Sequence, residues 1–405
     1  MKKAWSGNLI TQIMVAFAIA IIVGIIAGTS AETVKPLGDL FLRLIKFIIV
    51  PLVLASLVTG VSSTGDVRKL GRMGGKTIAY YLVTTALAVI LGLIIASLMS
   101  PGAELELKPE EARVEAKETP GIIDTLLAII PTNPFAALVQ GDMLPIIFFA
   151  IFLGIGISLA GEKARTVQLF FEQFAEVMYK ITGIVMRFAP IGVFGLVAPI
   201  VGKYGLSVLL PLSKVILGVA IGCLLHAAIV YSLSVKLFAG MKPLQFFKGI
   251  APAGMIAFST SSSSGTLPIT IQNVESNLGV SKRVSSFVLP LGATINMDGT
   301  ALYQGVCALF VAQFYGIDLS FAQLLTIVLT ATLASIGTAG VPGAGLIMLT
   351  MVLTSVGLPL EGMALIAGVD RILDMFRTSV NVIGDASAAV VVASSEGELE
   401  QSVHV

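Results

Sequence analysis

The chain has 405 residues, of which 56% are hydrophobic and 12% charged, with 25 basic and 24 acidic side chains and a mean hydropathy of +0.96. A soluble domain carries roughly 25% charged residues, so a water-soluble enzyme is excluded. A bilayer-spanning helix needs about 20 mostly apolar residues, which allows about eight spans and little extramembrane mass.

The net charge of +1 provides no footprint for nucleic acid and no polybasic tail for peripheral membrane attachment. Lys2, Lys3 and Trp5 precede an apolar run from Leu9 to Gly28 that is too long for a signal-peptide core and has no clear cleavage site; it reads as a retained first span. Apolar runs place spans at 9–30, 38–62, 76–99, 125–160 (open to interruption), 164–202 and 206–238. Cys223 and Cys307 lie 84 positions apart in apolar stretches and read as packing residues, not as a disulfide or a thiol metal site.

Basic residues in short loops set orientation. The N-terminal lysines, the loop with Arg68, Lys69, Arg72 and Lys76, and the loop with Lys236, Lys242 and Lys248 fit the cytoplasm. The 100–124 segment, with Glu104, Glu106, Glu110, Glu111, Glu115 and Glu118, reads as an external loop. Counting spans from an inside N-terminus leads to the same assignment.

After residue 240 the pattern changes. Segments 243–276 and 323–356 are apolar at both ends and interrupted in the middle, by Ser259 to Pro268 and by Ser335 to Gly345. Each precedes a longer stretch with interior acids, 283–314 and 361–393; Pro268 to Asp298 is 30 positions and Pro342 to Asp374 is 32. Similar intervals in successive units, entering from opposite sides, indicate an inverted repeat of two re-entrant hairpins. Interrupted segments at matching positions point to a transporter site near the bilayer midplane, because non-helical backbone inside hydrocarbon survives only where protein or a water-filled cavity satisfies it. A flexible serine linker is disfavoured by the apolar flanks.

In the last span Asp370, Asp374, Arg377, Asn381 and Asp385 are spaced by 4, 3, 4 and 4, which stacks them on one helix face. Ionisable groups within spans are functional hypotheses by default. Arg377 can grip a carboxylate through two parallel hydrogen bonds, and Asp374, one turn away, can accept from an ammonium. The pair suits an acidic amino acid; the plainer alternative is an internal salt bridge such as Asp374 with Arg377. In the preceding span, Asn296-Met297-Asp298-Gly299-Thr300 is a run of poor helix formers that suggests local unwinding and free carbonyls, the ligands hard cations prefer. Asp298, Asp374 and Asp385 against Arg377 leave a charge of −2 before an anionic substrate enters, so accompanying cations follow from electrostatics.

Ser262-Ser263-Ser264-Gly265-Thr266-Leu267-Pro268, Asn296-Met297-Asp298-Gly299-Thr300, Gly340-Val341-Pro342-Gly343 and Asp374-Met375-Phe376-Arg377-Thr378 with Asn381 and Asp385 resemble, in this order, the motifs of the excitatory amino acid transporter and sodium:dicarboxylate symporter family, in its prokaryotic glutamate/aspartate branch. The likeness covers nearly the whole chain. It implies an all-α polytopic membrane protein with eight transmembrane helices and two re-entrant hairpins, working as an elevator in a homotrimer in the cell membrane. The scaffold would comprise 1–75 and 125–202, and the transport domain 76–99 and 203–405.

Carried over by motif, Arg377 binds the substrate's side-chain carboxylate and Asp374 its amino group; Ser262, Ser263 and Ser264 of the first tip, Thr300, Thr378 and Asn381 complete the pocket, and Val341 and Gly345 close it. The resemblance assigns one sodium to Gly292, Asn296, Asn381 and Asp385, a second to Thr294 with Ser335, Ile336 and Thr338, and a third to Tyr81, Thr84 and Thr85 with Asn296 and Asp298. Without it, the Tyr-Tyr-x-x-Thr-Thr stretch reads as packing. Three positions depart from relatives: Gln304 stands where proton- and potassium-coupled eukaryotic members have a glutamate, which favours sodium coupling without proton transport; Met375 stands where those members place an arginine; and Ser261 stands where some archaeal members do. The expectation is a sodium-coupled symporter of L-aspartate, with L-glutamate as the second substrate, and not an enzyme. The rival is a proton-coupled symporter of glutamate or C4-dicarboxylates.

Overall fold

A computed structural model describes residues 9–62, 67–103, 127, 129–205, 209–336 and 344–400. Among these the chain is helical, with one isolated antiparallel bridge between Val280 and Leu399. Helices α1 (Leu9–Ala27) and α2 (Lys35–Ser62) are joined through a 3-10 turn, Gly28–Val34, and α3 is Val67–Met99. There follow α4 (Pro134–Gln140), α5 (Met143–Ala160), α6 (Arg165–Met186) and α7 (Ala189–Tyr204). Helix α8 (Leu209–His226) runs through a π turn, Ala227–Tyr231, into α9 (Ser232–Ala239). Then come α10 (Pro243–Thr260), α11 (Ser263–Leu278), α12 (Lys282–Ile295), α13 (Asp298–Phe314), α14 (Phe321–Ser335), α15 (Ala344–Ser355) and α16 (Met363–Glu396).

Among the described residues, four continuous helical stretches have the length and composition to cross a bilayer: Thr11–Ser62, Arg72–Met99, Pro145–Val185 and Leu210–Ala239. They overlap the runs expected before residue 240, the first joining 9–30 to 38–62 and the third joining 125–160 to 164–202. Beyond it, helices are short because the chain is interrupted, or long but charged, as α16 is. Two expected runs are divided. The 125–160 run breaks at Gly141, in the left-handed conformation at φ 76°, with Asn133 capping α4 by accepting from the Phe135 and Ala136 N–H groups. The 164–202 run, expected to be continuous, ends α6 at Met186 and starts α7 at Ala189. Pro190 explains this: it lacks an N–H and its ring disfavours helix before it, so it sits in the first turn of a new helix.

The helices pack in two groups that meet where α16 contacts α1 and α7, with Gly368 against Phe17. In one, α1 lies along α7 and α2 contacts α5, α6 and α7. Small residues allow the close approach: Gly24 faces Ala198 and Val201, Gly202 faces the Gly28 carbonyl, and Gly38 meets Gly195 and Leu196. In the other, α16 is the spine, contacted by α8, α9, α10, α11, α12 and α13, while α3 runs along α13 with Gly92 against the Leu302 backbone. At the end of α16, Glu396 accepts from Arg72 at 3.0 and 3.1 Å and from Lys76 at 2.6 Å. Beyond it, Glu398 accepts from Arg283 at 2.9 Å and the Glu400 N–H donates to the Gly279 carbonyl at 2.8 Å, so the segment after α16 is stitched to the α11–α12 turn. The Arg72 and Lys76 hydrogen bonds hold the Glu396 carboxyl down at about 2. The stabilisation from this clamp is therefore complete above the ordinary value of 4.5 and is lost as pH falls through about 2.

A Cβ on Gly195 would stand 2.9 Å from both the Leu37 Cβ and the Val34 carbonyl, whereas one on Gly75 meets nothing within 4 Å. Gly195→Leu is expected to lower the thermal midpoint in detergent clearly, by overpacking costing about 1–3 kcal/mol, and Gly75→Ala, inside α3 with open space around it, to raise it slightly, by about 0.5–1 kcal/mol of helix propensity, as scanning fluorimetry would show.

Candidate functional site

The site is built on α16, whose polar ladder faces the ends of the interrupted helices. Arg377 is completely buried. Its Nη1 donates to Asp370 Oδ1 at 2.8 Å and its Nη2 lies 3.0 Å from Asp374 Oδ1. Its Cζ sits 4.1 Å over the Tyr303 ring of α13. On the other side, a Cβ at Gly345 of α15 would fall 2.8 Å from Cζ, Nη1 and Nη2, so the second hairpin rests directly on the guanidinium. The internal ion pair weighed from sequence is present, and it includes Asp370 as well as Asp374. Thr378 donates to Asp374 Oδ1 at 3.4 Å. The Arg377 Nε has no hydrogen-bond partner among the described residues.

One turn along, Asn381 pins the start of α13: its Oδ1 accepts from the Gly299 N–H at 2.8 Å, and its Nδ2 lies 3.4 Å from Thr300 Oγ1 and 3.2 Å from Met297 Sδ. The expected unwinding is there, since α12 ends at Ile295 and Asn296 and Met297 leave helical geometry at ψ 106° and 46°. Asn296 Nδ2 donates to Asp385 Oδ1 at 2.9 Å and to the Asn381 carbonyl at 3.1 Å; its Oδ1 is buried without a partner among the described residues. A Cβ at Gly292 would land on Asp385 Oδ1 and the Tyr81 hydroxyl, so only glycine lets α12 approach both.

Asp298 is completely buried. Thr85 donates to its Oδ1 at 2.6 Å and Tyr231 to its Oδ2 at 2.8 Å, while His226 Nε2 lies 3.3 Å from Oδ2. Tyr81 donates to the Val288 carbonyl at 3.1 Å and Thr84 to the Tyr81 carbonyl at 3.2 Å, so of the three α3 residues Thr85 alone hydrogen-bonds to Asp298 among the described residues. The arrangement is one of carboxylate, amide, hydroxyl and carbonyl oxygens, a donor set suited to a small hard cation.

The first hairpin turns in two residues. Ser261 takes the left-handed conformation at φ 51°, and Ser262 caps α11 by accepting from the Gly265 N–H at 3.0 Å. Ser263 is buried and Ser264 exposed. In the second hairpin Ser335, buried, donates to the Thr332 carbonyl at 2.7 Å and Ile336 is buried at the end of α14; Thr338 and Val341 lie outside the described residues. Thr294 is exposed and donates to the Leu291 carbonyl of its own helix at 2.9 Å.

Sequence reasoning missed Tyr303, Tyr231 and His226 as neighbours of the site. An ionisable residue inside the 206–238 run was the available signal for His226. Tyr231 needs the fold: the π turn between them brings positions i and i+5 together, and their rings meet edge to face at 5.0 Å.

A family model described as the sodium:dicarboxylate symporter family matches residues 9–395. The chain is 41% identical over 401 residues to the proton/sodium-glutamate symport protein of Geobacillus stearothermophilus, covering 96% of this chain and 95% of that one. It is 40% identical over 413 residues to the proton/glutamate-aspartate symporter of Escherichia coli K12, covering 97% and 94%. It is 37% identical over 402 residues to a C4-dicarboxylate transport protein of Bacillus subtilis 168, covering 98% and 95%.

Thr85→Val and Tyr231→Phe each strip one hydrogen bond from the buried Asp298 carboxyl. Each is expected to destabilise the protein by about 1–3 kcal/mol, with the double variant less stable than either, as read by thermal midpoints in detergent.

Proposed function

Because the chain belongs to the sodium:dicarboxylate symporter family, we propose that it is a sodium-coupled symporter of L-aspartate, with L-glutamate as second substrate, that moves them inward across the cell membrane. At the level its relatives share, it is a multi-pass membrane symporter of glutamate and aspartate or of C4-dicarboxylates. The observation that carries the finer reading is the buried Arg377 paired with Asp374 one turn away, beside an oxygen-lined cluster around Asn296, Asp298 and Asp385. A guanidinium answers a carboxylate and Asp374 answers an ammonium, a group that a C4-dicarboxylate lacks.

In this reading Arg377 turns from its helix-internal carboxylates to the substrate's side-chain carboxylate, and Asp374 takes the amino group. Ser262, Ser263 and Ser264, Thr300, Thr378 and Asn381 complete the pocket, with Val341 and Gly345 of the second hairpin as its cover. Sodium, a co-transported substrate, is held in three places: by Gly292, Asn296, Asn381 and Asp385; by Thr294, Ser335, Ile336 and Thr338; and by Tyr81, Thr84, Thr85, Asn296 and Asp298. Cations enter first because buried carboxylates repel an anionic ligand until neutralised. The second hairpin then closes only with substrate present, since closure on cations alone would dissipate the gradient; this requires the substrate to bind the closed state more tightly than the open one.

The wider architecture in this reading has eight spans, two inverted hairpins and a homotrimer. Residues 1–75 and 125–202 form the scaffold, and 76–99 with 203–405 slide as an elevator. The packing of helices around α16 and around the α2–α7 contact supports such a division.

Proton coupling is the second reading, favoured by the buried His226 at 3.3 Å from Asp298. An imidazole and a carboxylate in contact can share a proton where the sodium reading puts a cation. Uptake of labelled aspartate into proteoliposomes under an imposed sodium gradient, then under a proton gradient, separates the two. Uptake that needs sodium and ignores the proton gradient is expected; uptake that persists without sodium but requires the proton gradient overturns sodium coupling. A preference for succinate over aspartate would remove Asp374 as the ammonium partner. Arg377→Cys is expected to lose acidic substrates by about two orders of magnitude in affinity, the consequence of truncating a buried charged partner worth about 2–5 kcal/mol.

A further inference from the structure

Arg371 is the one ionisable residue of the 370–385 stretch that the reading above leaves without a role. At 3.6 residues per turn it lies about 60° around α16 from Asp374 and about 20° from Thr378, on the shoulder of the polar ladder. Helix α10 lies antiparallel along α16, with Phe258 edge-on to Phe376 at 5.2 Å and Ser379 donating to the Gly254 carbonyl at 3.0 Å. Arg371 therefore stands between the ladder and the end of the first hairpin's leading arm. Its Nη2 donates to the carbonyl of Thr260, the last residue of α10, in a long 3.4 Å hydrogen bond. Its Nη1 is buried with no hydrogen-bond partner among the described residues.

We propose that Arg371 is a specificity-determining residue of the transport site, tying the first hairpin's tip to α16 and offering a second guanidinium to the acidic substrate. The inference rests on the reading that an acidic substrate binds between that tip and α16. At the tip, the C-terminal end of α10 and the N-terminal end of α11 meet within two residues. The first carries unpaired carbonyls and partial negative charge, the second unpaired N–H groups and partial positive charge. A guanidinium on the α10 end cancels the negative half and leaves the α11 end to attract an anion.

Charge points the same way. Arg377 is already matched by Asp370 and Asp374. An amino acid with two carboxylates brings one more anionic group than Arg377 and Asp374 can answer. Arg371 makes the local set of two carboxylates and two guanidiniums neutral. A planar guanidinium with one nitrogen on Thr260 keeps the other for a carboxylate oxygen, and a buried N–H group left unpaired is costly.

The test is uptake kinetics in proteoliposomes for wild type, Arg371→Gln and Arg371→Lys. Arg371→Gln is expected to raise KM for aspartate about tenfold with maximal rate within about twofold and half-saturating sodium unchanged, and Arg371→Lys to recover most of the affinity. An unchanged KM in Arg371→Gln, or a fall in maximal rate alone, overturns the role. Protection of the wild-type chain is a second measurement that needs no variant: aspartate is expected to slow modification of Arg371 by phenylglyoxal, read by peptide mass spectrometry, and an unaltered rate overturns the proposal. Wild-type vesicles that take up no aspartate, glutamate or succinate overturn instead the transport reading on which it rests.

Discussion

A guanidinium with no exposed surface sets the terms for the centre of this molecule. Arg377 cannot shed its charge, and taking an ion out of water costs several kcal/mol even after relaxation. Its own helix answers with Asp370 and Asp374, α13 supplies the face of Tyr303, and α15 comes in at Gly345, where any side chain would strike the guanidinium. Gly299 does the same for α13: a Cβ there would meet the Arg377 backbone. The small residues are thus placed by the size of the arginine, and both the second hairpin and the unwound span are positioned against it.

From that contact the polar interior continues along α16. Asn381 accepts from the Gly299 N–H, Asn296 donates to Asp385 and to the Asn381 carbonyl, and the break between α12 and α13 is thereby tied to α16. Buried polar networks are stable when nearly every member is satisfied. Among the described residues the buried atoms without a hydrogen-bond partner include Asn296 Oδ1, an acceptor, and Arg377 Nε, a donor. A small cation and an anion are the ligands that would complete them.

Much of this was legible in the sequence because it is local. Spacings of 3 and 4 put Asp370, Asp374, Arg377, Asn381 and Asp385 on one face whatever the tertiary fold, and a serine run between apolar flanks has few other structural outcomes. Contacts between distant segments were not legible: nothing in spacing brings Tyr303 over Arg377, or Tyr231 and Thr85 to Asp298, because those meetings depend on how α3, α8 and α13 cross. The break at Arg187 and Phe188 is a different case, since both Arg187 and Pro190 stand in the sequence at the point where the helix ends. Arg371 sat in plain view beside the ladder, and what distinguishes it is the Thr260 carbonyl, a partner 111 positions away.

The π turn at Ala227–Tyr231 has a consequence for how this span can change over time. Such a turn holds one residue more than an α turn, so deleting one residue from it would restore a regular helix and leave the helices on either side facing much as before. His226 and Tyr231, i and i+5 across the π turn, would become i and i+4 and still share a face. A one-residue change of length, which in a regular helix swings everything beyond it by about 100°, can therefore be absorbed at this one place in the span.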